Sequence, residues 1–189
     1  PAIDDFTEVL HISSYPDWQF INDWYYDIST PKAKADFEVK EVVSQLLKGK
    51  ENLSDLEKAK ILYRYVVEEI RYSSISFRQS GIVPQKASKV INTKIGDCKD
   101  VSTLFIAMCR EIGLKADIVL VNTRDNGETE LALPGTGFNH AIAKVVIDGN
   151  DYFIELTSDL IPFGTAGTNL KKAFVLEITD KKEGSTPML

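Results

Sequence analysis

Two cysteines and two histidines in 189 residues leave little material for a thiol- or imidazole-rich centre. Cys98 and Cys109 share a segment with helical spacing, where a rise of about 1.5 Å per residue sets their backbones roughly 16 Å apart. A disulfide needs Cα atoms within about 7 Å, so these two cannot bridge each other. His11 and His140 lie far apart without ligand spacing, so neither a metal nor a cofactor is expected. Basic excess is lacking as well. The 22 Lys and Arg face 28 Asp and Glu, a net charge of -6, and no cluster of basic residues offers a surface to nucleic acid. No apolar run approaches the roughly 20 residues of a bilayer span, and no basic-then-apolar leader opens the chain. Internal repeats are absent. The acidic stretch Asp125 to Glu130 departs from the EF-hand spacing and reads as a solvated loop rather than a calcium site.

What is present is enough apolar content, 43%, for one well-buried core. The segment Ser14 to Ser29 packs two Trp and three Tyr into a short span, a density that points to a core or a domain interface. From Glu38 to Gly49, Val39, Val42, Val43, Leu46 and Leu47 recur at helical spacing, and a glycine ends the run. Ser54 and Glu57 form a capping-box pattern ahead of a second helix through about Arg71. Gln79 to Ser88 reads as a loop by its Gly and Pro. A third helix is expected from Cys98 to a C-cap at Gly113.

The chemistry of the chain then changes to strands. Ala116 to Val121 is short and β-branched, and Asn122 to Gly137 reads as a long loop. Asn139 to Ile147 and Tyr152 to Ser158 flank Asp148-Gly149, the signal of a type I′ hairpin. Ala173 to Thr179 predicts a last strand. Helices first and a largely antiparallel sheet afterwards predict an α+β fold. The expected organisation is a lead-in over 1–35, a core over 36–165, and a strand and tail over 166–189. The chain opens on Pro1 and closes after a polar stretch, so flanking domains of a longer protein are expected.

Cys98 follows Gly96-Asp97 at the first turn of its helix. Unpaired N–H groups and the positive end of the macrodipole there favour a thiolate and hence a nucleophile. Its place three before Val101 and seven before Phe105 equally suits a small core residue. Cys109 lacks that placement and reads as core. Nucleophilic thiol chemistry needs a base and a group to orient it. His140 is the candidate base, since His11 lies in the lead-in. Across a two-residue turn Ile147 pairs with Asn150, so counting outward sets His140 opposite Thr157, with Glu155 and Asp159 as diagonal neighbours on its face. Ala141, Ala143, Val145 and Ile147 form the greasier face, and Ile142 and Phe153 on the other imply that both faces are covered. Which face meets the cysteine helix stays open.

The motifs "GDCKD" at Gly96 to Asp100, "FNHA" at Phe138 to Ala141 and "IELTSD" at Ile154 to Asp159, in this order, resemble the transglutaminase-like superfamily. Glu57 to Ile75 and Gly81 to Ile91 resemble the helix and pre-cysteine loop of its bacterial branch. The resemblance implies a papain-like core in which the cysteine helix packs on an antiparallel sheet. It also implies a cofactor-independent Cys-His-acid triad: Cys98, His140 and Glu155, with Asp159 as the alternative acid. The family's usual acid is Asp, so Glu155 is a departure. For the oxyanion, the Cys98 backbone N–H, Tyr72 and Gln79 are the candidates. The implied activity is thiol acyl transfer on protein or peptide amides, with hydrolysis ahead of glutamine crosslinking. An inactive assembly module in a multidomain envelope protein is the alternative, and the location implied is the bacterial periplasm or cell envelope.

Overall fold

The structure is a computed structural model that describes residues 10–74, 81–126, 133–165 and 167–181. Among the described residues, five α-helices and six strands follow in the order α1 (Trp18–Ser29), α2 (Phe37–Leu47), α3 (Asp55–Glu69), β1 (Arg71–Tyr72), α4 (Ala87–Thr93), β2 (Ile95–Gly96), α5 (Cys98–Glu111), β3 (Lys115–Asn122), β4 (His140–Ile147), β5 (Asn150–Ile154) and β6 (Phe174–Glu177). The α+β expectation is met. The last four strands form one antiparallel sheet in the order β5-β4-β3-β6, and β1 and β2 form a separate parallel pair. No helix among the described residues is long and apolar enough to cross a membrane.

Local signals account for the ends of several elements. Asp17 accepts from the amide of Phe20 at 2.7 Å and starts α1; Asp36 caps α2. The Ser54 and Glu57 capping box forms as expected, with Ser54 N donating to the Glu57 carboxylate at 2.9 Å. α3 ends two residues before the expected limit because Arg71 and Tyr72 turn to pair with Ile95 and Gly96. Gly113 follows the end of α5 at φ 83°, a conformation that only glycine adopts without strain.

The segment of dense aromatics is helix α1, and the expected pre-cysteine loop gives way at Ala87 to the short helix α4. In α1, Trp18, Ile21, Tyr25 and Ile28 recur at helical spacing, a stripe the reading of its aromatics passed over, whereas the seven residues of α4 are too few to show a period. α4 is held by Val90 and Ile91, which are buried, and α1 by Ile21 and Tyr25. The hairpin turns through Asp148 and Gly149 at φ 51° and 76°, as a type I′ turn requires, and Ile147 pairs with Asn150. β5 therefore begins two residues before the expected start. It leaves the ladder after Ile154 because Glu155 folds its carboxylate onto the next amides, Leu156 N and Thr157 N, each at 2.9 Å.

α5 is the centre of the molecule, touching α2, α3, α4, β3 and β4. Val101, Leu104, Phe105, Ala107, Met108 and Cys109 are fully buried. Packing on both sides explains why its burial exceeds a single stripe. The greasy face of β4, with Ala141, Ala143, Val145 and Ile147, joins this main core. The other face carries a smaller cluster of Val119, Val121, Ile142 and Ala173, covered by Leu170 and Phe153. Both faces are thus covered, as the hairpin pattern implies.

Candidate active site

Direction along the sheet decides how the cysteine helix meets the histidine. Ser102 near the start of α5 donates to Ala141 O at 3.4 Å, while Arg110 near its end donates to Ala116 O and the Asp117 carboxylate, each at 2.9 Å. β3 and β4 run antiparallel with Val121 opposite His140 and Lys115 opposite Val146. The mouth of α5 therefore stands where β4 begins. His140 is the first residue of that strand, so it reaches the helix mouth from the strand's end, although residues of its parity further along face away from α5.

Cys98 occupies the first position of α5, behind the N-cap Asp97. Asp97 accepts from Asp100 N at 3.2 Å, and Asp100 accepts from Asp97 N at the same distance, a reciprocal box that leaves the Cys98 amide unengaged by either carboxylate. Asp100 is buried and also accepts from Gln85, from its backbone N at 2.8 Å and its side-chain Nε2 at 2.6 Å. The pre-cysteine segment is thereby fastened to the first turn of the helix. The Asp97-x-x-Asp100 spacing was a readable signal for this cap.

Gly96 has to be glycine for lack of space. A Cβ there would lie 2.9 Å from Asp100 Cβ and 3.4 Å from Val101 Cγ1 and Val90 Cγ1, none of them the end of a flexible chain. Gly96→Ala is expected to cost about 1–3 kcal/mol through overpacking and to lower Tm by several degrees in thermal denaturation. An unchanged Tm would show that the helix mouth yields freely.

His140 Nε2 lies 2.8 Å from Glu155 Oε2, and His140 and Cys98 line one cleft. The other oxygen of Glu155 accepts from Leu156 N, Thr157 N and, at 2.7 Å, Thr157 Oγ1. Glu155 is thus held by the chain that follows it and is almost fully buried. Burial would pull the His140 pKa down, but hydrogen bonds and charges from Cys98 and Glu155 outweigh it and raise it to about 9. For Glu155 burial works upward, and the pairing with His140 and the Thr157 donors wins, leaving its pKa lowered. Cys109, fully buried, has its thiol pushed up by desolvation, as befits a core residue.

The remaining candidates separate. Tyr72 lines the same cleft as Cys98 and His140. Burial and the charges of Cys98, Asp97 and Glu155 raise its pKa to about 12, so its hydroxyl keeps a proton to donate. Asp159, the alternative acid, is exposed and lines a different depression with Tyr63 and Leu160. It is displaced from the histidine because the chain leaves the ladder at Glu155, so extrapolating the strand to residue 159 is corrected. Gln79 lies outside the described residues, as does most of the acidic stretch after Asn126. Among the described residues no group of three or more His, Cys, Asp or Glu could hold a metal.

The cleft above Cys98 has a volume of about 260 Å³. Its far wall comes from residues that motif reasoning passed over: Ile21, Trp24 and Tyr25 of α1, with Ile82. The density of aromatics in α1 was the available signal.

A family model described as the transglutaminase-like superfamily matches residues 40–155. Among solved structures, the chain is similar to a candidate protease from Parabacteroides distasonis at 15% identity and a TM-score of 0.68, covering 93% of this chain and 31% of that one. It is also similar to a candidate cysteine protease from Cytophaga hutchinsonii at 18% identity and a TM-score of 0.49, covering 86% of this chain and 53% of that one. The chain thus spans about a third of the length of the first and half of the second. At 15% identity the likeness to the first is one of fold. No curated protein matches the chain.

Proposed function

The chain belongs to the transglutaminase-like superfamily, and from that premise we propose that it is a thiol-dependent enzyme that hydrolyses amide bonds of protein or peptide substrates through Cys98, His140 and Glu155. The observation that carries the reading is His140, bonded to Glu155 through Nε2 at 2.8 Å, facing the same cleft as Cys98 at the mouth of its helix. A scaffold has no need of that arrangement, whereas nucleophilic catalysis needs all of it.

Cys98 gives up its proton to His140 and its sulfur attacks the substrate carbonyl carbon. The Cys98 amide and the Tyr72 hydroxyl are the donors available to the oxyanion, each worth up to about 3 kcal/mol when well placed. Collapse of the tetrahedral intermediate breaks the C–N bond, and His140 returns the proton to the leaving amine. Water, deprotonated by His140, then attacks the thioester and frees the acid and the thiol. Water is the favoured acceptor because Trp24, Tyr72 and Ile82 at the cleft are each more than a third exposed, so solvent reaches the thioester.

The test combines iodoacetamide labelling, hydrolysis of a peptide mixture and incorporation of an amine label, each followed against pH. Cys98 is expected to be alkylated much faster than Cys109, and hydrolysis to exceed amine incorporation. The rate is expected to fall as pH rises through about 9, because His140 is protonated below its raised pKa and above it has no proton for the leaving amine. Absence of both reactions, with Cys98 labelled no faster than Cys109, would leave the fold without this function.

A further inference from the structure

α1 lies outside residues 40–155, the stretch matched by the superfamily, yet it forms a wall of the cleft. It is fixed there by an unusual clasp. Asn22 is fully buried, and its side-chain amide binds the backbone of Thr179 at both ends, Oδ1 accepting from Thr179 N at 2.9 Å and Nδ2 donating to Thr179 O at 3.1 Å. Trp18 packs against Phe138 and Phe174, with ring centres 6.2 and 5.4 Å away, and Phe138 sits two residues before His140. On the cleft side Tyr25 donates its hydroxyl to Ile82 O at 3.2 Å, tying the helix to the pre-cysteine segment. The wall is therefore preorganised relative to the nucleophile.

Its exposed apolar surface comes from Trp24 and Ile82. Trp24 is 37% exposed and Ile82 47%, and both line the cleft together with Tyr72 at 38%. Among the described lining residues, the charges outside the Cys98–His140 pair are Asp97 and Lys99, and these are ion-paired with each other. Asn139 has its side-chain amide committed to Thr123, donating to Oγ1 at 2.8 Å and accepting from N at 2.9 Å. A volume of about 260 Å³ sits at the small end of ligand clefts, enough for a side chain and its backbone. Ser74 and Thr136 add hydroxyls to the lining, but a side chain laid against Trp24 and Ile82 meets apolar surface and gains by leaving water only if it is itself apolar.

We propose that Trp24, with Ile82 and Tyr72, is a specificity-determining wall that selects a bulky apolar side chain on one of the two substrate residues on the acyl side of the scissile carbonyl. This rests on the thiol-enzyme reading and names its substrate class.

The test uses N-acetyl-dipeptidyl acyloxymethyl ketones, in which the Cys98 thiolate displaces the carboxylate leaving group to form a thioether. Phe, Leu, Gln, Asp or Lys is placed at the terminal position or the one before it, with Ala at the other. Rates on the full chain are divided by the iodoacetamide rate of the same protein. The Phe or Leu probe at one of the two positions is expected to react at least about 10-fold faster than its Gln, Asp and Lys counterparts. Trp24→Ala is expected to cut that ratio to below about 3-fold, and Ile82→Glu to shift preference towards Lys. Equal rates in the unsubstituted chain, a faster Gln probe, or a preference untouched by both variants would overturn the proposal while leaving the thiol-enzyme reading intact. Cys98 unreactive even to iodoacetamide would overturn both.

Discussion

Replacing His140 with alanine is expected to lower peptide hydrolysis by about 10⁴-fold or more, since a nucleophile and its base act as one unit. The loss is chemical rather than structural. His140 contributes to neither of the two buried apolar clusters, and the strand it opens is carried by Ala141, Ala143, Val145 and Ile147 on one face and Ile142 on the other. Two measurements separate these causes. Circular dichroism and Tm of the variant should stay close to those of the parent, while any residual hydrolysis should lose the limb that falls as pH rises through about 9 in the parent, because that limb belongs to the imidazolium that protonates the leaving amine. Iodoacetamide labelling of Cys98 at neutral pH should slow, since the base that takes the thiol proton is gone. A variant that keeps the parent's rate and pH profile would mean that His140 is not the base, and the triad would fail at its centre.

The same residues show how far a linear reading of the chain reaches. Several short-ranged features were legible: the capping box at Ser54, the helix opening at Cys98, and the hairpin whose Asp148-Gly149 turn sets the register of β4 against β5. Register is a period-two property, so fixing the turn was enough to bring Glu155 to the His140 side. Asp159 shows where such counting ends. It assumes that the ladder continues, and Glu155 stops it by capping its own successors. Three features were not legible for a different reason. The pairing of β1 with β2, the packing of α1 across the cleft, and the choice of sheet face beneath α5 all depend on contacts between distant segments, such as Asn22 with Thr179. Local propensity carries no trace of these. The dense aromatics of α1 announced burial but could not say that Trp18 would enter a core cluster while Trp24, six residues on, would be left to face the cleft.

Glu155→Gln is expected to lower hydrolysis by roughly 10²–10⁴-fold and to move the alkaline limb of the pH profile below 9. The direction of the shift follows from the balance at His140. Burial pulls its pKa down; the hydrogen bonds and charges of Cys98 and Glu155 push it up to about 9. Glutamine removes the carboxylate's charge and keeps the shape, so burial gains ground and the imidazole loses its proton at lower pH. The amide also presents a donor where Leu156 N, Thr157 N and Thr157 Oγ1 require acceptors, so a flipped or mispaired side chain can turn the imidazole from its alignment with the thiol. Glu155→Asp supplies the control. It restores the charge with a side chain one methylene shorter, and recovery of both rate and the limb near pH 9 would show that charge at Nε2 matters more than reach. Asp159→Asn should leave the profile in place, because that exposed carboxylate lines the depression beside Tyr63 instead of the cleft. If Asp159→Asn were the damaging change and Glu155→Gln the silent one, the 2.8 Å contact between Glu155 and His140 would be structural, and the orienting acid would have to come from elsewhere.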